Sequence, residues 1–492
     1  MLSIRKIGVV SRTYRHLNRY RHILAVLLKH GFGEVVESLR IDQYLEVGLQ
    51  MISKKRPPRE EPLTRPQRVR MALEELGPTY IKLGQVLSTR PDLIPVEFIE
   101  ELSKLQDSVP PFPFADAETI IQRELGAPSS DVFDRIDVEP AASASIGQVH
   151  RARLKNGDEA AVKIQRPGIR AVIEVDLEIM LHLATLAERH VEELVLHKPV
   201  KIVEEFARTL EKEIDYRIEA THIDRISQGF LDDPTVYIPA VFREYSTACI
   251  LTTEYVEGIK ISNIGELDAG GYDRRLLCSR GADIVLKQVF HHGFFHADPH
   301  PGNIFALPGN VICLLDFGMV GVVDRQTREM FVELVDSVVR RNEGRAAQVL
   351  LQLTSWEQQP ELRQLERELS EFMSRHLYRP LKEIEVGKLL QDLLEIATRF
   401  QLRLPPDIFL MLKAISTVET VGRMLDPDFD MIAKASPFIE QVLMDRFKPQ
   451  RVAEDVGDHD SILFCRRDRI AAEADLTFMA RRVRARAGEV RG

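Results

Sequence analysis

Five polar residues spread over about a third of the chain carry the groups that a phosphate-handling site needs. The stretch His296-Ala297-Asp298-Pro299-His300-Pro301-Gly302-Asn303 sets an Asp five residues before an Asn. Asp316-Phe317-Gly318 follows thirteen residues after that Asn, behind the apolar run Val311 to Leu315. Mg²⁺ is a hard cation that prefers oxygen ligands and shares them with substrate phosphates. Asn303 and Asp316 are therefore the metal candidates, and Asp298 remains as a carboxylate beside the point of transfer. Upstream, Lys163 stands within Ala161-Val162-Lys163-Ile164, where an amine on a strand can pair with phosphates, and Glu219 in a later helical stretch is its candidate partner. A lone Asp-Phe-Gly arises by chance, but all of these groups in this order are a specific signal for metal-assisted phosphoryl transfer.

The elements that must position these groups are legible around them. Asn156-Gly157 separates an alternating run ending at Leu154 from Glu159 to Gln165, the strongest hairpin signal in the chain, and it puts Lys163 on the second strand. Ahead of the hairpin, Ala141-Ala142-Ser143-Ala144-Ser145-Ile146 is a loop of small residues placed to cover a nucleotide. Helical patterns span about 65 to 89, with Pro78 opening a helix that Pro91 stops, then about 116 to 125, 170 to 192 and 199 to 228. Pro110, Pro111 and Pro113 mark a linker. β-rich runs at Val236 to Phe242 and Cys249 to Tyr255 precede a mostly helical remainder, and Glu254-Tyr255-Val256 is a candidate hinge whose backbone would hold adenine.

The chain's 492 residues, 44% hydrophobic and 29% charged, suit a globular protein of two or three domains and exclude a disordered or fibrous one. Four cysteines without a CxxC pair support neither a disulfide framework nor a zinc ribbon and fit a reducing, cytosolic-side compartment. Apolar runs such as Ile23 to Leu28 fall far short of the ~18 residues a spanning helix needs. Charge is uneven: residues 1–56 carry eleven Lys/Arg against four Asp/Glu, residues 466–492 carry eight against four, and the whole chain is −9. A basic end interspersed with Leu17, Ile23, Leu24, Leu27 and Leu28 suits an anionic membrane surface, or equally a solvated helix face. Nucleic acid is disfavoured, since no aromatic-studded basic stripe appears. His296 and His300 lack a third nearby His or Cys and are read as structural and loop residues.

The chain departs from an ordinary protein kinase in two respects. Alanines and serines replace the glycine-rich phosphate loop, and a helical pattern resumes near Asp324 without an APE motif, leaving no room for a peptide-docking segment. With Lys82-Leu83-Gly84-Gln85 (KxGQ), Ser145 through His150, Val162-Lys163-Ile164-Gln165-Arg166-Pro167-Gly168, Glu213-Ile214-Asp215 (ExD) and the His296 to Asn303 and Asp316-Phe317-Gly318 motifs, the chain resembles the UbiB/AarF family of atypical kinases, linked to ubiquinone biosynthesis, over about residues 60 to 440.

That resemblance implies an α+β, two-lobed kinase-like fold with an N-terminal helical extension and a long helical insert in the small lobe. The expected parts are a basic segment 1–60, the KxGQ extension 61–130, a small lobe 131–258, a helical lobe 259–445 and a basic tail 446–492. It implies ATP and Mg²⁺ as cofactors, KxGQ helices packed over the site, and Lys82, Gln85, Glu213 and Asp215 as regulators facing the pocket. On one helix, Asp215 and Glu219 share a face while Glu213 lies about 120° round. Family members often end in two hydrophobic helices, so the basic flank before Gly492 is expected to border an anchor missing from this sequence, at the cytoplasmic side. Implied partners are anionic membrane lipids and quinone-biosynthesis enzymes or their lipid intermediates. The acceptor and the oligomeric state, a homodimer included, stay open. Three functions remain in play: ATP hydrolysis or phosphoryl transfer to a small or lipid-like acceptor, a nucleotide-gated scaffold or lipid-extracting factor without turnover, and a true protein kinase.

Overall fold

The computed structural model describes residues 13–39, 63–90, 93–105, 109–191, 198–356, 360–377 and 385–445. The arrangement is the expected α+β pair of lobes. An N-terminal helix α1 (Thr13–Lys29) packs with α2 (Arg65–Leu76) and α3 (Pro78–Leu87). Thr64 and Gln67 cap α2 reciprocally, and Pro78 opens α3 directly after Gly77, whose φ of +94° makes the corner between the two helices. Helix α4 (Phe114–Leu125) then leads into the sheet of the small lobe.

That sheet runs β1 (Phe133–Ile136), β3 (Gly147–Leu154), β4 (Glu159–Gln165), β6 (Ile250–Glu254), with β2 (Ala142–Ser143) also paired to β3. Ala160, Val162 and Ile164 of β4 point into a core with Ile120 and Ile121 of α4. Period-two alternation therefore turns Lys163 to the opposite face, toward the other lobe. The insert is α5 (Ile169–His190), α6 (Pro199–Glu213) and α7 (Tyr216–Gln228).

The single helix expected over 199–228 is two. Ile214 leaves helical geometry, and Asp215 adopts an extended backbone as the N-cap of α7, accepting from the Arg217 amide at 3.1 Å. The break is enforced from the sheet: Gln165 donates to the Ile214 carbonyl, and the Tyr216 amide donates to the Ala248 carbonyl at 3.1 Å. An Asp offered as a cap competes well with continued helix when the neighbouring backbone groups find partners elsewhere.

The second lobe begins with a sheet ordered β5 (Val236–Tyr237), β10 (Val311–Leu314), β9 (Ile304–Leu307), β7 (Ile259–Lys260), and a two-stranded ribbon joins β8 (Phe294–His296) to β11 (Val320–Val322). Around them pack α8 (Arg274–Leu286), α9 (Arg325–Val339), α10 (Glu343–Leu353), α11 (Leu362–His376), α12 (Val386–Arg399), α13 (Pro406–Leu425) and α14 (Met431–Asp445). Only six residues separate Gly318 from the first residue of α9, so the missing docking segment is a fact of the fold.

The basic N-terminal stripe is corrected in part. Ile23, Leu24 and Val26 of α1 are buried inside the protein, in contact with α2 and α5, and Arg19 bonds Asp176 at 2.7 Å. That apolar face is occupied and is not offered to a membrane. Most of residues 1–60, and all of the tail 446–492, lie outside the described residues. Among the described residues no helix is long and apolar enough to cross a membrane.

Candidate nucleotide and metal site

β4 and α7 bring the first pair together. Lys163 Nζ lies 2.9 Å from both carboxylate oxygens of Glu219 and 3.9 Å from Asp316 Oδ1, so residues 163, 219 and 316 meet as their spacing anticipates. Burial alone would lower the Lys163 amine, but the Asp316 and Glu219 carboxylates outweigh it and hold it well above its ordinary value. Glu219 is buried, which pushes its carboxyl up against the pull of Lys163. The Tyr216 ring lies 5.2 Å from the same ammonium, and its hydroxyl has no partner among the described residues.

Asp316 takes a left-handed backbone, φ +58°, which is uncommon outside glycine, and its Oδ1 accepts from the Gly318 amide at 3.2 Å. The Lys163 ammonium, the Gly318 amide and the Lys82 ammonium hold its carboxyl down to about 2, against the adverse effect of burial. Its side chain is nevertheless 53% exposed. Solvent there screens these pairings. Phe317 is buried beside the His296 ring, with centroids 5.5 Å apart, and His222 Nδ1 lies 3.0 Å from the Phe317 carbonyl. His296 is thus the packing residue expected of it.

The catalytic loop continues from β8. The Asp298 amide donates to His296 Nδ1 at 3.2 Å, and the Asp298 carbonyl accepts from the His300 amide at 2.7 Å. Asn303 closes a tight turn, and its carbonyl accepts from the Leu315 amide at 2.8 Å, tying that turn to the residue before Asp316. Mg²⁺ prefers hard oxygen ligands and shares them with substrate phosphates, and Asp316, ionised and exposed, and the Asn303 amide oxygen suit such an ion. Among the described residues no three His, Cys, Asp or Glu side chains gather as a metal cluster.

The small-residue loop is a β-turn on β3, with the Ala144 amide donating to the Gly147 carbonyl at 2.7 Å. Ala141 and Ala142 are exposed, whereas Ser145 is buried and Ile146 sits in the core with Tyr80 and Leu210. Ile146 therefore joins the cover to the extension and does not present its side chain to a ligand. Arg166, which the sequence reading used only as part of a motif, reaches back to the carbonyls of Ala144 and Pro110 at 3.2 and 3.1 Å. Glu254 ends β6 at the crossing between lobes, where its carboxylate accepts from Tyr237 Oη at 2.5 Å. The Tyr255 amide is taken by the Glu159 carbonyl, and Val256 follows in the connection to β7.

The regulators divide. Lys82 Nζ meets Glu213 at 2.5 Å, joining the extension to the end of α6 close to Asp316. Gln85 instead donates to the Leu105 carbonyl at 3.3 Å, within the extension, so the two polar groups of KxGQ do not aim at one site. Asp215 is held by Arg217, with Nη2 at 2.6 Å, and is kept below the usual carboxylate range chiefly by that guanidinium.

Residues 104–350, half of the chain, match the model of the ABC1 atypical kinase-like domain, and residues 369–430 match the UbiB helical domain. A probable protein kinase UbiB of Marinobacter nauticus is 37% identical over 401 residues, 81% of this chain and 73% of that protein. This chain belongs to the UbiB family of atypical kinases. A Pseudomonas fluorescens UbiB is 33% identical over 89% of this chain and 83% of its own. A solved structure of Mycobacterium tuberculosis Rv3197 with erythromycin superposes with a TM-score of 0.52 at 26% identity, covering 75% of this UbiB-family chain and 93% of that one.

Proposed function

We propose that the protein binds MgATP between its lobes and either hydrolyses it or passes its γ-phosphoryl group to a small or lipid-like acceptor, supporting ubiquinone biosynthesis at a membrane. The observation that carries this reading is the junction of Lys163 with Glu219 at 2.9 Å and Asp316 at 3.9 Å. Mg²⁺, when bound, would neutralise phosphate charge at Asn303 and Asp316. Lys163, fixed by Glu219, would hold the α- and β-phosphates. Asp298 would take the proton of the attacking water or hydroxyl as its oxygen bonds to phosphorus, while the bridging oxygen leaves with the electron pair on ADP. Lys82 paired to Glu213 would limit what reaches the γ-phosphate, which is why a small acceptor or water is favoured over a peptide. The test is phosphate release by the wild type and Asp316→Asn, with and without anionic liposomes. Release by the wild type that the variant lacks supports turnover; equal background in both favours a nucleotide-gated scaffold.

A further inference from the structure

Asp298 has a partner that no nearby motif announces. Its Oδ1 lies 3.3 Å from Lys413 Nζ, on α13 and 115 residues downstream. The loop from His296 to Asn303 contains no Lys or Arg of its own, and His300 turns its Nδ1 to accept from the Gly302 amide at 3.1 Å. A phosphoryl group in transfer spreads charge over its oxygens and needs cationic stabilisation on the acceptor side as well as the nucleotide side.

Resting on the proposed reading above, we propose that Lys413 is a positioning residue for Asp298: the helical domain supplies the acceptor-side cation that the catalytic loop lacks. Three features hold it there. Asp407, in the first turn of α13, accepts from the Val322 amide of β11 at 3.1 Å, fixing the helix to the ribbon that carries His296. The Arg90 guanidinium lies 5.9 Å from the Phe409 ring, and Glu419 accepts from the amides of Val386 and Gly387 at 3.0 and 2.8 Å. Lys413 thus projects from a helix anchored on both sides of it. An ammonium has three donors on a compact head, so one of them can hold the Asp298 carboxylate in a fixed orientation while the others stay solvated.

The test compares ATP hydrolysis by the wild type, Lys413→Gln, Lys413→Arg, Asp298→Asn and the Lys413→Gln/Asp298→Asn double variant, with ADP affinity and thermal unfolding measured on each. At a one-third exposed position, Gln and Arg are both accommodated. Lys413→Gln should lower kcat by at least ~10-fold, a partial loss of the roughly 10²–10⁴-fold that a well-positioned general base contributes. KM for ATP and ADP affinity should stay within about twofold, since the contact lies away from the nucleotide. Lys413→Arg should recover part of the loss, and the double variant should be no slower than Asp298→Asn alone. Unchanged kcat in Lys413→Gln, losses that multiply in the double variant, or nucleotide affinity falling in step with kcat would each overturn the assignment. Wild-type turnover no greater than that of Asp316→Asn would instead remove the enzymatic reading itself, and this inference with it.

Discussion

Gly84, the glycine of KxGQ, offers the sharpest test of how the extension is held over the site. A Cβ at this position would stand 2.2 Å from Leu105 Cδ1 and 2.9 Å from Leu73 Cδ1, and Leu102 Cδ2 lies at 3.6 Å. Leu105 is buried and Leu73 is partly buried against the same cluster, so although both close atoms end flexible side chains, neither can swing far aside. Overpacking of this kind costs about 1–3 kcal/mol. Against it, replacing Gly by Ala inside a helix gains about 1 kcal/mol. Gly84→Ala should therefore come out destabilising by roughly 0–2 kcal/mol, concentrated in the extension. Lys82, half a turn earlier on α3, should lose its fixed contact to Glu213 as the helix shifts outward. Amide hydrogen exchange resolves this: residues 78–105 should exchange faster in Gly84→Ala while β4 remains protected. Adding Leu105→Ala, which removes the closest clashing atom, should restore slow exchange in α3. Exchange in α3 that slows in the single variant would show that helix propensity governs, and would refute the argument that Gly84 is there for close packing.

Other outcomes follow from the same geometry. Gly147→Ala would set a methyl 2.5 Å from the Ile164 carbonyl oxygen and 2.5 Å from Tyr216 Oη; because one of these is backbone, it should lower the midpoint of thermal unfolding more than Gly84→Ala does. Glu219→Gln should weaken ATP binding, read by nucleotide titration, by about tenfold or more, because Lys163 loses its fixed partner and falls back on Asp316. His222 is held below its ordinary value by burial, so its stabilising contribution is present above the unfolded value near 6.5 and is lost as pH falls. His222→Gln should remove up to one proton from acid-linked unfolding, about 1.4 kcal/mol per pH unit, visible in denaturant titrations between pH 7 and 5; an unchanged slope would sink that account.

Much of the site was legible because its parts are local strings with fixed order. Lys163 followed from the Asn156-Gly157 turn and the alternation of β4, and the short path from Gly318 to α9 followed from the resumed helical pattern at Asp324. What was not legible depended on partners far along the chain. The break at Ile214 and Asp215 is driven by Gln165 and Ala248, and nothing within 199–228 alone announces it. Gln85 turns to Leu105 because the extension folds on itself. The burial of Ile146 could have been suspected from its place as the one large apolar residue in a loop of alanines and serines. Lys413 sits in an apolar helix with no motif around it, and only the packing of α13 against β11 reveals its reach.

The docking of α1 has a practical consequence for anyone handling shortened forms of this protein. The Arg19 guanidinium bonds both carboxylate oxygens of the fully enclosed Asp176, at 2.7 and 3.0 Å, and also caps the Leu76 carbonyl at the end of α2. Deleting the first thirty residues would strand that carboxylate without its counter-ion, a loss of about 3–5 kcal/mol for a buried pair. It would also uncover the greasy seat of Ile23 and Leu24. A trimmed version should therefore clump on purification, and a low yield from it would report on a missing lid over α5 rather than on any failing of the phosphate chemistry.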